Sequence, residues 1–144
     1  MKKKILILVV EDEAIIRMGA VCMLEEAGFA AIEAANADDA IRILEGRDDI
    51  RAVFTDINMP GTLDGLRLAQ AIRGRWPPIH LIVTSGLMSP GVGDIPVGGR
   101  FIRKPYKMDH VIATIRELMA TTPSVGGVVP RRKQLSIRLS PQST

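Results

Sequence analysis

The sequence predicts an α/β domain built on an open parallel sheet, and three observations carry that prediction. The run Ile5–Val10 is unbroken, apolar and rich in branched residues, as in a strand covered on both faces. Further runs of this kind alternate with segments of helical periodicity, which is the pattern of βαβ units; right-handed crossovers then dictate parallel pairing. The ends of these runs carry carboxylates, hydroxyls and a lysine, so one edge of the sheet reads as a ligand rim.

Each element follows from local signals. Asp12 offers an N-cap, and Ala14–Ala27 reads as a helix closed by Gly28. Phe29–Ala34 is a weaker second strand. Asn36, with Asp39 three residues on, resembles a cap, and Ala37–Arg47 follows as a helix with acids in its first turn. Ala52–Asp56 is a third strand that runs into a turn around Met59, Pro60 and Gly61. Asp64–Arg75 is a helix, with Leu66, Ala69, Ile72 and Arg73 at helical spacing, stopped by Trp76, Pro77 and Pro78. Ile79–Thr84 and the short Arg100–Arg103 complete the strands, and Met108–Ala120 is a closing amphipathic helix.

The alternation breaks once. Between Thr84 and Phe101, where a helix is expected, five Gly and two Pro make a regular one unfavourable. Residues 86–99 are therefore expected to form an irregular, mobile connection with at most one helical turn. Five strands in a domain of this size predict a flavodoxin-like (βα)5 three-layer sandwich, its parallel sheet in the order 2-1-3-4-5 and its fourth helix eroded.

Charge divides the chain in two. The formal net charge is +3, but residues 121–144 hold Arg131, Arg132, Lys133 and Arg138 and no acid. Residues 1–120 retain 15 basic against 16 acidic residues, so the domain has no overall field that favours nucleic acid. With only 3% aromatic residues it also lacks a stacking surface for single strands. The expected organisation is a domain over residues 1–120 and a disordered basic tail over 121–144. The apolar run after Lys2, Lys3 and Lys4 meets Glu11, Asp12 and Glu13 too early for a signal peptide, and no stretch approaches a membrane span. Cys22, the sole cysteine, excludes an intrachain disulfide and fits a reducing cytoplasm. Lying among Val21, Met23 and Leu24, it is expected to be a small buried hydrophobe. His80 and His110 stand isolated, with no ligand context.

The rim residues carry the chemistry. Strand one ends in Glu11 and Asp12, strand three in Asp56, strand four in Thr84 and Ser85, and strand five in Lys104 and Pro105. Clustered carboxylates repel one another unless they share a cation. With few protein ligands on offer, Mg²⁺ that keeps several waters and leaves room for a phosphate fits best. Lys104 then serves as a point charge for an anion and Thr84 as a hydroxyl donor. Asp56, on the central strand, is the best nucleophile, and an aspartyl phosphate is a known type of covalent intermediate.

Glu11-Asp12-Glu13 after Val9 and Val10, Asp56-Ile57-Asn58-Met59-Pro60, Thr84-Ser85-Gly86 and Lys104-Pro105-Tyr106 together resemble the receiver domain of bacterial response regulators, over roughly residues 4–120. The resemblance implies that Asp56 is the phosphoacceptor. It implies that Asp12, Asp56 and the backbone carbonyl of Asn58 ligate Mg²⁺, with Glu11 acting through metal-bound water. Thr84 would bond a phosphoryl oxygen and swing inward, Phe101 stands at the family's rotating aromatic switch, and a cis peptide bond joins Lys104 to Pro105. Gly65 departs from the pattern, nine residues after Asp56 where the family usually has eight, and Ser85 stands where Ala or Gly is commoner.

The function expected is that of a stand-alone cytoplasmic response regulator, phosphorylated by a sensor histidine kinase. Its output would pass to a His-containing phosphotransfer protein or another downstream protein target, because 24 residues cannot hold a helix-turn-helix module. The alternative is a Mg²⁺-dependent phosphatase with an Asp nucleophile on a related fold. Such enzymes resemble one another in a second Asp two residues on, where this chain has Asn58. A nucleotide- or flavin-binding protein lacks support, since no Gly-rich phosphate loop follows the first strand.

Overall fold

The computed structural model describes residues 3–57, 65–86, 95, 96 and 98–121. Strands β1 (Leu6–Val10), β2 (Ala30–Ala34), β3 (Ile50–Asp56), β4 (His80–Ser85) and β5 (Arg100–Arg103) form one parallel sheet in the order β2-β1-β3-β4-β5. Helices α1 (Ala14–Glu26), α2 (Ala37–Gly46), α3 (Gly65–Arg75) and α4 (Met108–Thr121) cover it. This is the flavodoxin-like order expected from the sequence. The region expected to hold an eroded fourth helix lies largely outside the described residues, as does the tail beyond Thr121.

The sheet is buried on both faces because β1, and most of β3 and β4, carry apolar residues at successive positions. Leu8 and Val10 of β1, Val53 of β3 and Leu81 and Val83 of β4 point into a core shared with Ala40 and Leu44 of α2 and Leu68, Ala69 and Ile72 of α3. Their neighbours Ile7, Val9, Phe54 and Ile82 point the other way, against Ala20 and Leu24 of α1 and Val111 and Ile115 of α4. The period of two along each strand thus assigns alternate residues to two separate cores.

The caps test the local readings. Asn36 accepts a hydrogen bond from the backbone N–H of Asp39 at 2.8 Å, as its spacing predicts. Gly28 follows α1 at φ 101°, a left-handed conformation that costs a glycine least. At the other end of α1, Glu13 rather than Asp12 is the capping residue, and no side chain caps the helix. Asp12 belongs instead to a cluster of acids at the sheet's rim.

Cys22 requires a correction, since it is exposed rather than buried. Helix α1 is apolar on nearly every side, so its periodicity does not select the inward face. The sheet takes Ala20 and Leu24, leaving Ile15 85% and Met18 58% exposed. Among the described residues no helix is long and apolar enough to cross a membrane.

Candidate functional site

Strand register assembles the site. Val10 stands level with Ala34 on one side and Thr55 on the other, and Asp56 pairs with Thr84. Main-chain bonds fix the residues just beyond: Glu11 N–H donates to the Ala34 carbonyl at 3.1 Å, and Ile57 N–H to that of Thr84 at 2.8 Å. Ser85 pairs with Arg103, and Lys104 N–H donates to the Ser85 carbonyl at 3.0 Å. The residues that end β1, β3, β4 and β5 therefore meet at one rim. The Lys104–Pro105 peptide bond is cis.

Glu11, Asp12 and Asp56 each place a carboxylate oxygen within 4.8 Å of the others. Glu11 and Asp56 are buried, only 6% and 7% exposed, while Asp12 faces solvent. Burial, with a hydrogen bond to Asp12 and the charge of Asp56, raises the Glu11 pKa to about 6, against the opposing pull of the Glu13 N–H and of Lys104. The Lys104 ammonium donates to Asp56 Oδ2 at 2.7 Å. Burial works against that ammonium, but the hydrogen bond and charge of Asp56, helped by Glu11, outweigh it and hold its pKa above the ordinary lysine value.

Thr84 Oγ1 is buried and finds no hydrogen-bond partner among the described residues. A buried hydroxyl left in that state carries a cost that an oxygen-rich ligand relieves. Three clustered acids, an ammonium and this hydroxyl suit a hard divalent cation held together with an oxyanion. The donor set therefore fits Mg²⁺.

Each site residue expected from the sequence has a location, apart from one. Glu11, Asp12, Asp56, Thr84 and Lys104 come together at the rim, whereas Asn58 lies outside the described residues. Phe101 lies opposite Val83 and packs, half-buried, against the core under α2 and α3.

Three contributors carried no role in the sequence. Gly65 N–H donates to the Ile57 carbonyl at 3.0 Å, and a Cβ there would stand 2.1 Å from the Asp56 carbonyl oxygen. Only glycine allows α3 to start against the residue that carries the central carboxylate. The irregular spacing of Gly65 was its one signal. Arg17 donates from Nη1 to the Glu11 carbonyl at 2.7 Å and from Nε to Glu33 at 2.9 Å, tying the acid-bearing turn to β2. Tyr106 packs edge-on to Phe54, ring centroids 5.7 Å apart, and lines the floor beneath Asp56 and Thr84. An aromatic directly after the rim proline was the available clue.

A flavodoxin-like sheet whose rim gathers three acids, a hydroxyl and a lysine defines the receiver class of two-component signalling domains. The chain belongs to the response regulator receiver domain family, whose model matches residues 7–116. It is 33% identical over 119 residues to the sensor kinase CckA of Brucella abortus (strain 2308), covering 78% of this chain and 12% of that protein. It is 32% identical over 143 residues to the hydrogenase transcriptional regulatory protein HoxA of Cupriavidus necator, covering 96% of this chain and 28% of that one. The chain thus spans well under a third of either curated relative. A response regulator receiver protein from Sinorhizobium medicae WSM419 superposes with a TM-score of 0.74 at 26% identity, over 83% of this chain and 98% of that structure.

Proposed function

We propose that this chain accepts a phosphoryl group on Asp56 from a sensor histidine kinase and acts as a stand-alone, cytoplasmic response regulator. The observation that carries the reading is the buried Asp56 carboxylate, held 2.7 Å from the Lys104 ammonium within the cluster of acids. Asp12 and Asp56 would hold the metal, with Glu11 acting through metal-bound water and the Asn58 carbonyl as the further ligand expected from the family resemblance. Bound there, Mg²⁺ supplies the positive charge that lets a phosphoryl group approach a carboxylate pocket. Lys104 exchanges its bond to Asp56 for one to a phosphoryl oxygen, and Thr84 Oγ1 gains the acceptor it otherwise lacks. A rotation of Phe101 on activation completes the switch. Residues 1–120 form the receiver and residues 121–144 a basic tail that phosphorylation does not require. Output passes to a His-containing phosphotransfer protein or another protein target.

The test is incubation with acetyl phosphate and Mg²⁺, read by intact mass. One phosphoryl group is expected on the wild type and none on Asp56→Asn or on wild type with EDTA. Equal labelling of Asp56→Asn would remove Asp56 from the role.

A further inference from the structure

The turn that carries Glu11 and Asp12 runs from β1 into a helix that no side chain caps, so α1 does not hold the turn through Asp12. The support comes from β2 instead. Glu11 N–H donates to the Ala34 carbonyl at 3.1 Å, and the Glu11 carbonyl accepts from Arg17 Nη1 at 2.7 Å. The same guanidinium donates from Nε to Glu33 at 2.9 Å, and Glu33 stands on β2 level with Val9. Both main-chain groups of Glu11 are thereby fastened to one strand. Its side chain is fixed in turn by the Glu13 N–H, 3.0 Å from Oε2.

We propose, on the metal-dependent reading of the rim given above, that Arg17 is a positioning residue for the metal: by clamping the Glu11 carbonyl it keeps Glu11 and Asp12 at the spacing a divalent cation requires, and so sets the affinity of the rim for Mg²⁺. It acts through the main chain of Glu11 and is not itself a ligand.

The acids need such a clamp. Carboxylates gathered within 4.8 Å of one another push apart when no cation lies among them. Asp12 is exposed, so the turn can yield towards solvent, and the bond from Arg17 opposes that motion. A guanidinium suits the task because Nε and Nη1 are donors in one rigid plane, here on two different acceptors. Arg17 also lies in the first turns of α1, its own N–H donating to the Glu13 carbonyl at 2.9 Å, so the helix carries the clamp.

Position and charge predict opposite outcomes. Removing Arg17 leaves Glu33 without this partner and adds negative charge near the rim, so by Coulomb attraction alone Mg²⁺ should bind more tightly. Losing the clamp lets Glu11 and Asp12 spread, so Mg²⁺ should bind more weakly. Groups that orient metal ligands from outside typically change affinity by about 10–100-fold.

Titration of the metal-free protein with MgCl2, followed by the NMR shifts of the rim amides, tests the proposal. Circular dichroism confirms the fold of each variant at the titration temperature. Arg17→Met should bind Mg²⁺ about ten-fold more weakly than the wild type. Arg17→Lys, which keeps the charge but replaces the planar fork with a single ammonium, should also bind more weakly, and it decides the matter if Arg17→Met does not fold. Arg42→Met removes an exposed cation of α2 that pairs with Asp39, and should bind at least as well as the wild type. Without any metal, exchange of the Glu13 N–H should quicken in Arg17→Met. Wild-type or tighter binding in Arg17→Met overturns the proposal while leaving the metal site intact. Equal weakening in Arg42→Met overturns it as well, because charge rather than position then sets the affinity. A wild type that binds no Mg²⁺ removes the metal-dependent reading itself, and the role of Arg17 with it.

Discussion

Arg17 on α1 and Glu33 on β2 form an ion pair at 2.9 Å that steadies the guanidinium against the main chain of Glu11. The arginine side chain is 17% exposed and the glutamate 43%, so the pair itself contributes little, under about 1 kcal/mol. The charged hydrogen bond to the Glu11 carbonyl contributes more, roughly 1.5–3 kcal/mol. Arg17→Ala should therefore destabilise the domain by about 2 kcal/mol and Glu33→Gln by less than half of that. Urea unfolding of the two variants checks the ranking, and equal losses would show that the pair rather than the main-chain bond matters.

Gly65 gives a sharper prediction. A methyl group there meets the Asp56 carbonyl oxygen and the Ile57 Cα, both backbone atoms that cannot swing aside. Gly65→Ala should cost more than about 3 kcal/mol or prevent folding, in the class of backbone-incompatible substitutions. Gly74→Ala on the same helix meets no neighbour within 4 Å and should be neutral or stabilising by up to about 1 kcal/mol. Thermal melts of the two proteins decide the matter.

Lys104 counters the carboxylates of the rim before any ligand arrives. Its side chain is 30% exposed and that of Asp56 8%, so the pair is partly screened. Lys104→Met should destabilise the metal-free protein by about 1–2 kcal/mol, below the range for fully buried pairs. Added Mg²⁺ should narrow the difference, because a bound cation replaces the missing charge. A deficit that Mg²⁺ leaves untouched would show that the lysine stem, not its charge, supports the fold.

His80 sets a pH dependence. Burial first, then the charges of Arg51, Arg73 and Arg100, lowers its pKa below the usual 6.5. The unfolded chain takes up the proton first, so this contribution is present above about pH 6.5 and is lost as pH falls through the folded value. Glu11 acts in the opposite sense: raised from 4.5 to about 6, its contribution is present at low pH and is lost as pH rises through about 6. Comparing wild type with His80→Gln cancels the Glu11 effect. The stability of wild type relative to the variant should fall between pH 8 and pH 5, and a constant difference would remove His80 as the source.

Strands were legible in the sequence because both faces of the sheet are buried, so runs such as Ile5–Val10 are apolar throughout and need no phase. The rim was legible because strand ends in a parallel sheet converge, and register alone brings Asp56 level with Thr84. Helix α1 was readable as a helix but not in orientation. With Ile15, Met18 and Cys22 as apolar as Ala20 and Leu24, only the packed structure decides which side faces the sheet. Arg17 and Tyr106 escaped for a different reason. Their partners, Glu33 and Phe54, lie 16 and 52 residues away along the chain, and no local pattern links them. Gly65 was visible as a spacing irregularity, but its contact with the Asp56 carbonyl is a distance, and distances are absent from a string of residues.

Phe101 and Tyr106 stand three residues before Lys104 and two after it, yet they insert on opposite sides of the sheet, the first beside α2 and α3 and the second beside α1 and α4. The lysine is thus carried on a short axle with a bearing in each core. Sliding it along the rim loads both bearings at once, so whatever moves Lys104 is felt simultaneously on two surfaces that share no side chains.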